Sequence, residues 1–214
     1  MTLRKVLLLL LALPWALLAQ NASSELFEVR HIDDDIFARI KGKSYKDGCP
    51  VPLEDLRYLA IAHYDGDGNV KRGELICNRA IADDLLDIFR ALFEAQYPIE
   101  SVRLIDEFDA DDIRSMQANN TSCFNFRPIA GSTKLSKHAL GLAIDINPLY
   151  NPYVKAGNKG LIVSPPEGRP YADRKGDFEY KIDETDLCYL LFREHGFEWG
   201  GSWRSLKDYQ HFEK

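Results

Sequence analysis

The chain has 214 residues, 45% of them hydrophobic and 28% charged, which suits one globular domain with a sizeable core and an N-terminal extension. Its formal net charge of −6 argues against nucleic acid as a partner. The cysteines Cys49, Cys77, Cys123 and Cys188 form no CxxC pair, which argues against a thiolate zinc site.

Arg4 and Lys5 precede an apolar run from Val6 to Ala19, after which polar residues begin. The run is shorter than the about 20 apolar residues that span a bilayer, and small residues at Ala19 or Ala22 suit cleavage. This is the pattern of a secretory signal peptide over residues 1–19. The expectation is an exported protein, periplasmic or secreted, with no membrane anchor left after cleavage. Cleavage takes two of the 27 basic residues away against 33 acidic ones, leaving −8. An oxidising compartment permits disulfides, and four cysteines admit three full pairings. Cys188 reads equally as a buried thiol.

Residues 20–103 read as an N-terminal arm with a helical and strand extension, and 104–214 as the functional core. Gln20 to about Pro52 is weakly periodic and suits a surface arm, with acids at Asp33 to Asp35. Arg57–His63 and Gly73–Cys77 read as paired strands. Between them DGDGN, Asp65 to Asn69, imitates a calcium loop. Val70 and Ile76 stand where such a loop needs glycine and glutamate, so a hairpin turn is expected. Asn78 is placed to cap a helix from about Arg79 to Ala95, with Ile81, Leu85, Ile88, Phe89, Leu92 and Phe93 on its core face. Ile99–Ile105 reads as a strand, Asp109–Met116 as a short acidic helix or loop, and Leu142–Ile146 as a strand. Asn147 to Gly176, rich in Pro, Gly, Asn and Tyr, reads as a long irregular excursion. Asp183 is placed to cap a helix from about Glu184 to His195, which Gly196 ends. Phe197–Trp203 is a tight aromatic turn. The mixed order favours an α+β fold, a small antiparallel sheet flanked by helices in a single domain.

The segment SKHALGLAIDIN, Ser136 to Asn147, carries the chemistry. Zinc bonds to imidazole and carboxylate are about 2.0–2.2 Å long, so ligand atoms must converge. On one helix His138 and Asp145 would lie about 10 Å apart along the axis. A turn followed by a strand works instead, with Gly141 bending the chain. Alternation then points Leu142, Ile144 and Ile146 to the core, and Ala143, Asp145 and Asn147 to a cleft. In DYQHFE, Tyr209, His211 and Glu213 share a strand face, and Asp208 lies at the preceding turn. His138, Asp145 and His211 are the candidate zinc ligands, leaving one position open for water. Asp208 is the candidate general base and Glu213 the second choice. His31, His63 and His195 read as ordinary polar histidines.

SKHALGLAID resembles the S-x-H-x-x-G-x-A-x-D signature of the zinc D-alanyl-D-alanine carboxypeptidases and VanY-type peptidases. WGGSWRSLKDYQHFE resembles their second motif, with an acid three residues before the last histidine. The likeness runs from about Leu104 to Glu213. It implies the α+β fold shared with lysostaphin-like peptidases and the hedgehog signalling domain. It also implies Zn2+ held by His138, Asp145 and His211, with Asp208 as acid/base. Arg127 in CFNFRP stands where the family has an arginine near the scissile carbonyl. Its other reading is a surface salt bridge. Ser136 either contacts substrate or fixes the turn before His138, and Trp199 and Trp203 either wall the cleft or pack the core. The activity implied is cleavage of peptidoglycan stem peptides, as a D-alanyl-D-alanine carboxypeptidase first and an L-Ala-D-Glu endopeptidase second. The rival from another class is a non-catalytic, zinc-containing cell-wall binding module.

Overall fold

The computed structural model describes residues 26–214 except 130 and 159. The signal-peptide expectation therefore lies outside the described residues. In chain order come β1 (Glu28–His31), α1 (Asp34–Ile40), β2 (Leu56–Tyr64), β3 (Val70–Asn78), α2 (Ala82–Glu94) and β4 (Ser101–Val102). Then follow α3 (Asp112–Gln117), β5 (Asn120–Thr121), β6 (Ala143–Asp145), β7 (Tyr153–Gly157) and β8 (Gly160–Ser164). The chain closes with α4 (Leu187–Glu194), β9 (Glu198–Trp199), β10 (Lys207–Asp208) and β11 (His211–Glu213). The fold is α+β.

The β1-β2-β3 meander is the central sheet. Strand β2 is an almost unbroken apolar run because both its faces are covered. Leu59 and Ile61 meet Leu85, Ile88, Phe89 and Leu92 of α2 on one face. Leu56, Tyr58 and Ala60 meet Ile36 and Ile40 of α1 on the other. The presumed arm thus contributes a strand and a packed helix. Its acidic cluster starts that helix: the Asp33 carboxylate accepts from the Ile36 N–H at 2.9 Å, and Asp34 and Asp35 sit in the first turn.

The Asp65–Asn69 loop is the expected hairpin turn. The Asp65 carboxylate accepts from the N–H groups of Asp67 (3.1 Å) and Asn69 (2.8 Å) and pairs with Lys71 at 3.3 Å, so its oxygens are already engaged. Helix α2 starts later than expected, because Asn78 closes a preceding turn by accepting from the Ala80 N–H at 3.0 Å. Helix α4 is capped by Asp186, which accepts from the Cys188 N–H at 3.0 Å. Asp183 instead holds Thr185 through its N–H (3.0 Å) and hydroxyl (2.7 Å). Of the strand expected over 99–105, only β4 forms. Ile105–Phe108 coils into a 3-10 turn whose Asp106 carboxylate takes the N–H and hydroxyl of Ser44, each at 2.9 Å.

The stretch 147–176 is more regular than expected. Strands β7 and β8 form a hairpin, β10 pairs with β7, and a 3-10 turn follows over Pro166–Tyr171. A third sheet, β6-β11-β9, carries the candidate site. All four cysteines are unpaired, with Cys77, Cys123 and Cys188 buried.

Candidate metal centre

Two antiparallel strands bring Asp145 and His211 together. In the β6/β11 pair these residues lie directly opposite each other, where side chains on one face meet. His138 arrives on the 3-10 turn Lys137–Leu140, whose first turn is held by the Ser136 hydroxyl accepting from the His138 N–H at 3.2 Å. Gly141 then turns the chain into β6 with φ +67°, and its carbonyl accepts from the Asn78 N–H at 2.8 Å. The left-handed conformation is cheap only for glycine.

The polar atoms converge. His138 Nε2 lies 3.2 Å from His211 Nδ1 and 3.2 Å from one Asp145 oxygen, and His211 Nδ1 lies 3.0 Å from the other. Zinc bonds of the usual length place neighbouring tetrahedral ligands about 3.4 Å apart, close to these spacings. The outer nitrogens fix the tautomers. His138 Nδ1 faces the Cys123 carbonyl at 2.6 Å, and His211 Nε2 faces the Glu213 carboxylate at 3.0 Å. Carbonyl and carboxylate oxygens only accept, so in neutral rings both outer nitrogens carry the hydrogen. The three inner groups are then lone pairs and a negative charge facing one point. That arrangement calls for a cation, and two imidazoles with one carboxylate are a donor set that suits zinc.

Burial alone would push Asp145 up, but His138 and His211 hold its carboxyl well below the usual range. Burial likewise disfavours protonated His211, yet Asp145 and Glu213 outweigh it and hold the ring up to about 10 in the metal-free protein. Asp208, on β10 opposite Tyr153, behaves in the reverse sense. Burial first, and then the charge of Asp145, push its carboxyl up to about 6, against the pull of His211. Gln210 Nε2 donates to it at 3.1 Å. Gly200 makes room for this residue, since a Cβ there would lie 2.6 Å from the Asp208 carbonyl oxygen and 2.8 Å from its Cβ.

The triad and Asp208 lie on the wall of a cleft of about 780 Å³ that Arg127, Ser136 and Trp203 also line. Arg127 forms an ion pair with Asp112 across that wall. Trp203 packs its ring beside that of His211, 5.3 Å between centroids and tilted by 53°. Trp199 is not a cleft residue. It is buried in the core beside Phe212, and its indole N–H donates to the Tyr209 carbonyl at 2.9 Å. Asn147 also turns away from the cleft. With φ +45° it leaves the strand, accepting from the Glu100 N–H at 3.1 Å and donating to the Pro98 carbonyl at 3.0 Å. Ala143 is buried with the core rather than open to the cleft. Glu213, the second choice of base, is engaged on the outer side of His211. The sequence reading missed Tyr153, Lys155, Ile162 and Ser164, which the β7–β8 hairpin adds to the cleft. Tyr153 with Lys155, and Ile162 with Ser164, lie two apart on their strands and so share the face toward the cleft.

Residues 130–214, less than half of the chain, match the model of a family described as D-alanyl-D-alanine carboxypeptidase. This part of the chain is similar to that peptidase family. His138, Asp145, Asp208 and His211 all fall inside the matched segment, whereas Arg127 precedes it. No curated protein and no solved structure matches the chain.

Proposed function

We propose that the chain is an exported zinc peptidase that hydrolyses peptidoglycan stem peptides, with the D-alanyl-D-alanine bond as its first target. The observation that carries this reading is the inward convergence of His138, Asp145 and His211, whose ligand atoms all lie within 4.8 Å of one another. The family match and the pattern of residues 1–19 support the substrate class and the export.

Zinc held by these three residues supplies a Lewis acid that acidifies water and polarises a carbonyl. Asp208 does the proton work. It takes a proton from the attacking water as the oxygen bonds to the scissile carbon, and returns it to the amine nitrogen as the C–N bond breaks. A carboxyl near pKa 6 suits both duties, being largely ionised at neutral pH yet still a competent acid. Arg127 offsets the negative charge that grows on the carbonyl oxygen, and Asp112 holds it against the wall. Ser136 fixes the turn that aims His138, and Trp203 backs the His211 ring.

One observation favours the second enzymatic reading. At about 780 Å³ the cleft falls among sites that hold drug-sized ligands, and it is roomier than a terminal dipeptide requires. An L-Ala-D-Glu endopeptidase would use that length. A non-catalytic binding module has no need of Asp208 beside the triad.

The test combines metal analysis with mass spectrometry of muropeptides treated with wild type and Asp208→Asn. Wild type is expected to hold one zinc per chain and to release either D-alanine or a fragment cut at L-Ala-D-Glu. The variant is expected to keep zinc and lose activity by about 10²–10⁴-fold. A zinc-loaded wild type that cleaves neither bond favours the binding module instead.

A further inference from the structure

Resting on the metal reading above, we propose that Glu213 is a positioning residue: its carboxylate sets the donor nitrogen and donor strength of His211. The two histidines of the triad are backed differently. His138 gives its outer N–H to a neutral backbone carbonyl, that of Cys123, at 2.6 Å. His211 gives its own to an anionic side chain, Glu213 Oε2, at 3.0 Å.

The pairing follows from the strand. Residues two apart on β11 project from the same face, so the carboxylate of Glu213 runs alongside the His211 ring. With Nε2 occupied by that contact, Nδ1 is left to face Asp145 and His138. Trp203 covers the ring at 5.3 Å between centroids. The ring is therefore held by a carboxylate at its outer edge and an aromatic beside it. The side chains are largely buried, 7% exposed for His211 and 23% for Glu213, so bulk water competes weakly for the contact. A carboxylate behind an imidazole also makes it a stronger electron-pair donor than a carbonyl does. Glu213 thus serves the metal from behind its ligand, which removes it from the choice of base and leaves Asp208 alone in that role.

The experiment measures zinc affinity by chelator competition, and the visible spectrum of the cobalt-substituted protein, for wild type, Glu213→Ala and Glu213→Gln. Melting of each zinc-free protein is followed alongside. Alanine is expected to weaken zinc about 10–100-fold and to alter the cobalt spectrum while the zinc-free protein still melts cooperatively. Glutamine keeps an acceptor for the Nε2 hydrogen but not the charge, so it is expected to restore part of the loss. Where the alanine variant does not fold, the glutamine variant decides, with severalfold weaker zinc binding as the expected result. Wild-type affinity and an unchanged cobalt spectrum in the glutamine variant, beside an alanine variant that either matches wild type or is unfolded, overturn the proposal. A wild type that binds no zinc overturns the metal reading itself, a result distinct from either.

Discussion

His211 stands between two carboxylates, Asp145 at 3.0 Å from Nδ1 and Glu213 at 3.0 Å from Nε2. In the metal-free protein these contacts keep a proton on the ring up to a pKa of about 10. Metal ligation needs that ring neutral, so zinc must displace the proton. At pH values below about 10, where the folded ring titrates, zinc uptake is expected to release about one proton from His211. Affinity should then strengthen roughly tenfold per pH unit across that range. Calorimetry in buffers of different ionisation enthalpy counts the proton directly, and an affinity independent of pH between 7 and 9 would contradict a protonated His211 in the metal-free protein. The same pair affects folding in a definite direction. Because the folded pKa of His211 is raised, its contribution to metal-free stability is whole below about pH 6.5 and fades as pH climbs through about 10. Asp145, with its pKa lowered by the same contact, loses its share only under acid.

At the scale of elements, the site depends on one tight turn. His138 and Asp145 are joined through a 3-10 turn and Gly141, and a Cβ at Gly141 would approach the Asn78 backbone nitrogen to 2.7 Å. That nitrogen donates to the Gly141 carbonyl, so the side chain would crowd the hydrogen bond that docks the turn on β3. Gly141→Ala is expected to cost about 1–3 kcal/mol of folding stability from the left-handed backbone alone. It is also expected to loosen zinc binding by moving His138 against β6. Denaturant unfolding with chelator titration reads both effects, and a variant equal to wild type in each would show that the turn tolerates a side chain. This turn was legible in the sequence because glycine among small residues before an alternating strand has few other uses. The β2/β3 pair and the core face of α2 were legible for a similar reason, since their apolar residues recur at the period of the element. The β7–β8 hairpin was not. Its composition is that of a loop, and its third strand, Lys207–Asp208, lies about fifty residues downstream, so nothing local announces the pairing. Trp199 and Trp203 show the same limit in a side chain. They sit four residues apart around Gly-Gly, and only the fold decides that one enters the core while the other faces His211.

At the scale of the molecule, the segment that carries the motifs does not carry its own core. The family match begins at residue 130, yet the main apolar cluster joins Leu59, Ile61, Leu85 and Phe89 to Ile144, Phe192 and Phe212. Phe192 and Phe212 stack 4.3 Å apart, and Phe212 sits between His211 and its partner Glu213. The strand that presents the candidate metal site is therefore anchored from behind by residues that α2 and β2 help to cover. Burying one large apolar side chain contributes about 1.5–3 kcal/mol, against a whole-domain stability of about 5–15 kcal/mol. Stripping away α2 and the central meander uncovers several such side chains at once and exceeds that margin. A fragment of residues 104–214 is accordingly expected to lack a cooperative melting transition and to bind zinc no better than an unfolded chain with the same ligands. A chain of residues 26–214 is expected to melt cooperatively and to gain stability on adding zinc, because a ligand of the folded state alone shifts the equilibrium toward it. Calorimetry of both, with and without metal, separates the cases. A fragment 104–214 that melts sharply and takes up zinc would show that the first hundred residues are an appendage rather than half of the scaffold on which His138, Asp145 and His211 converge.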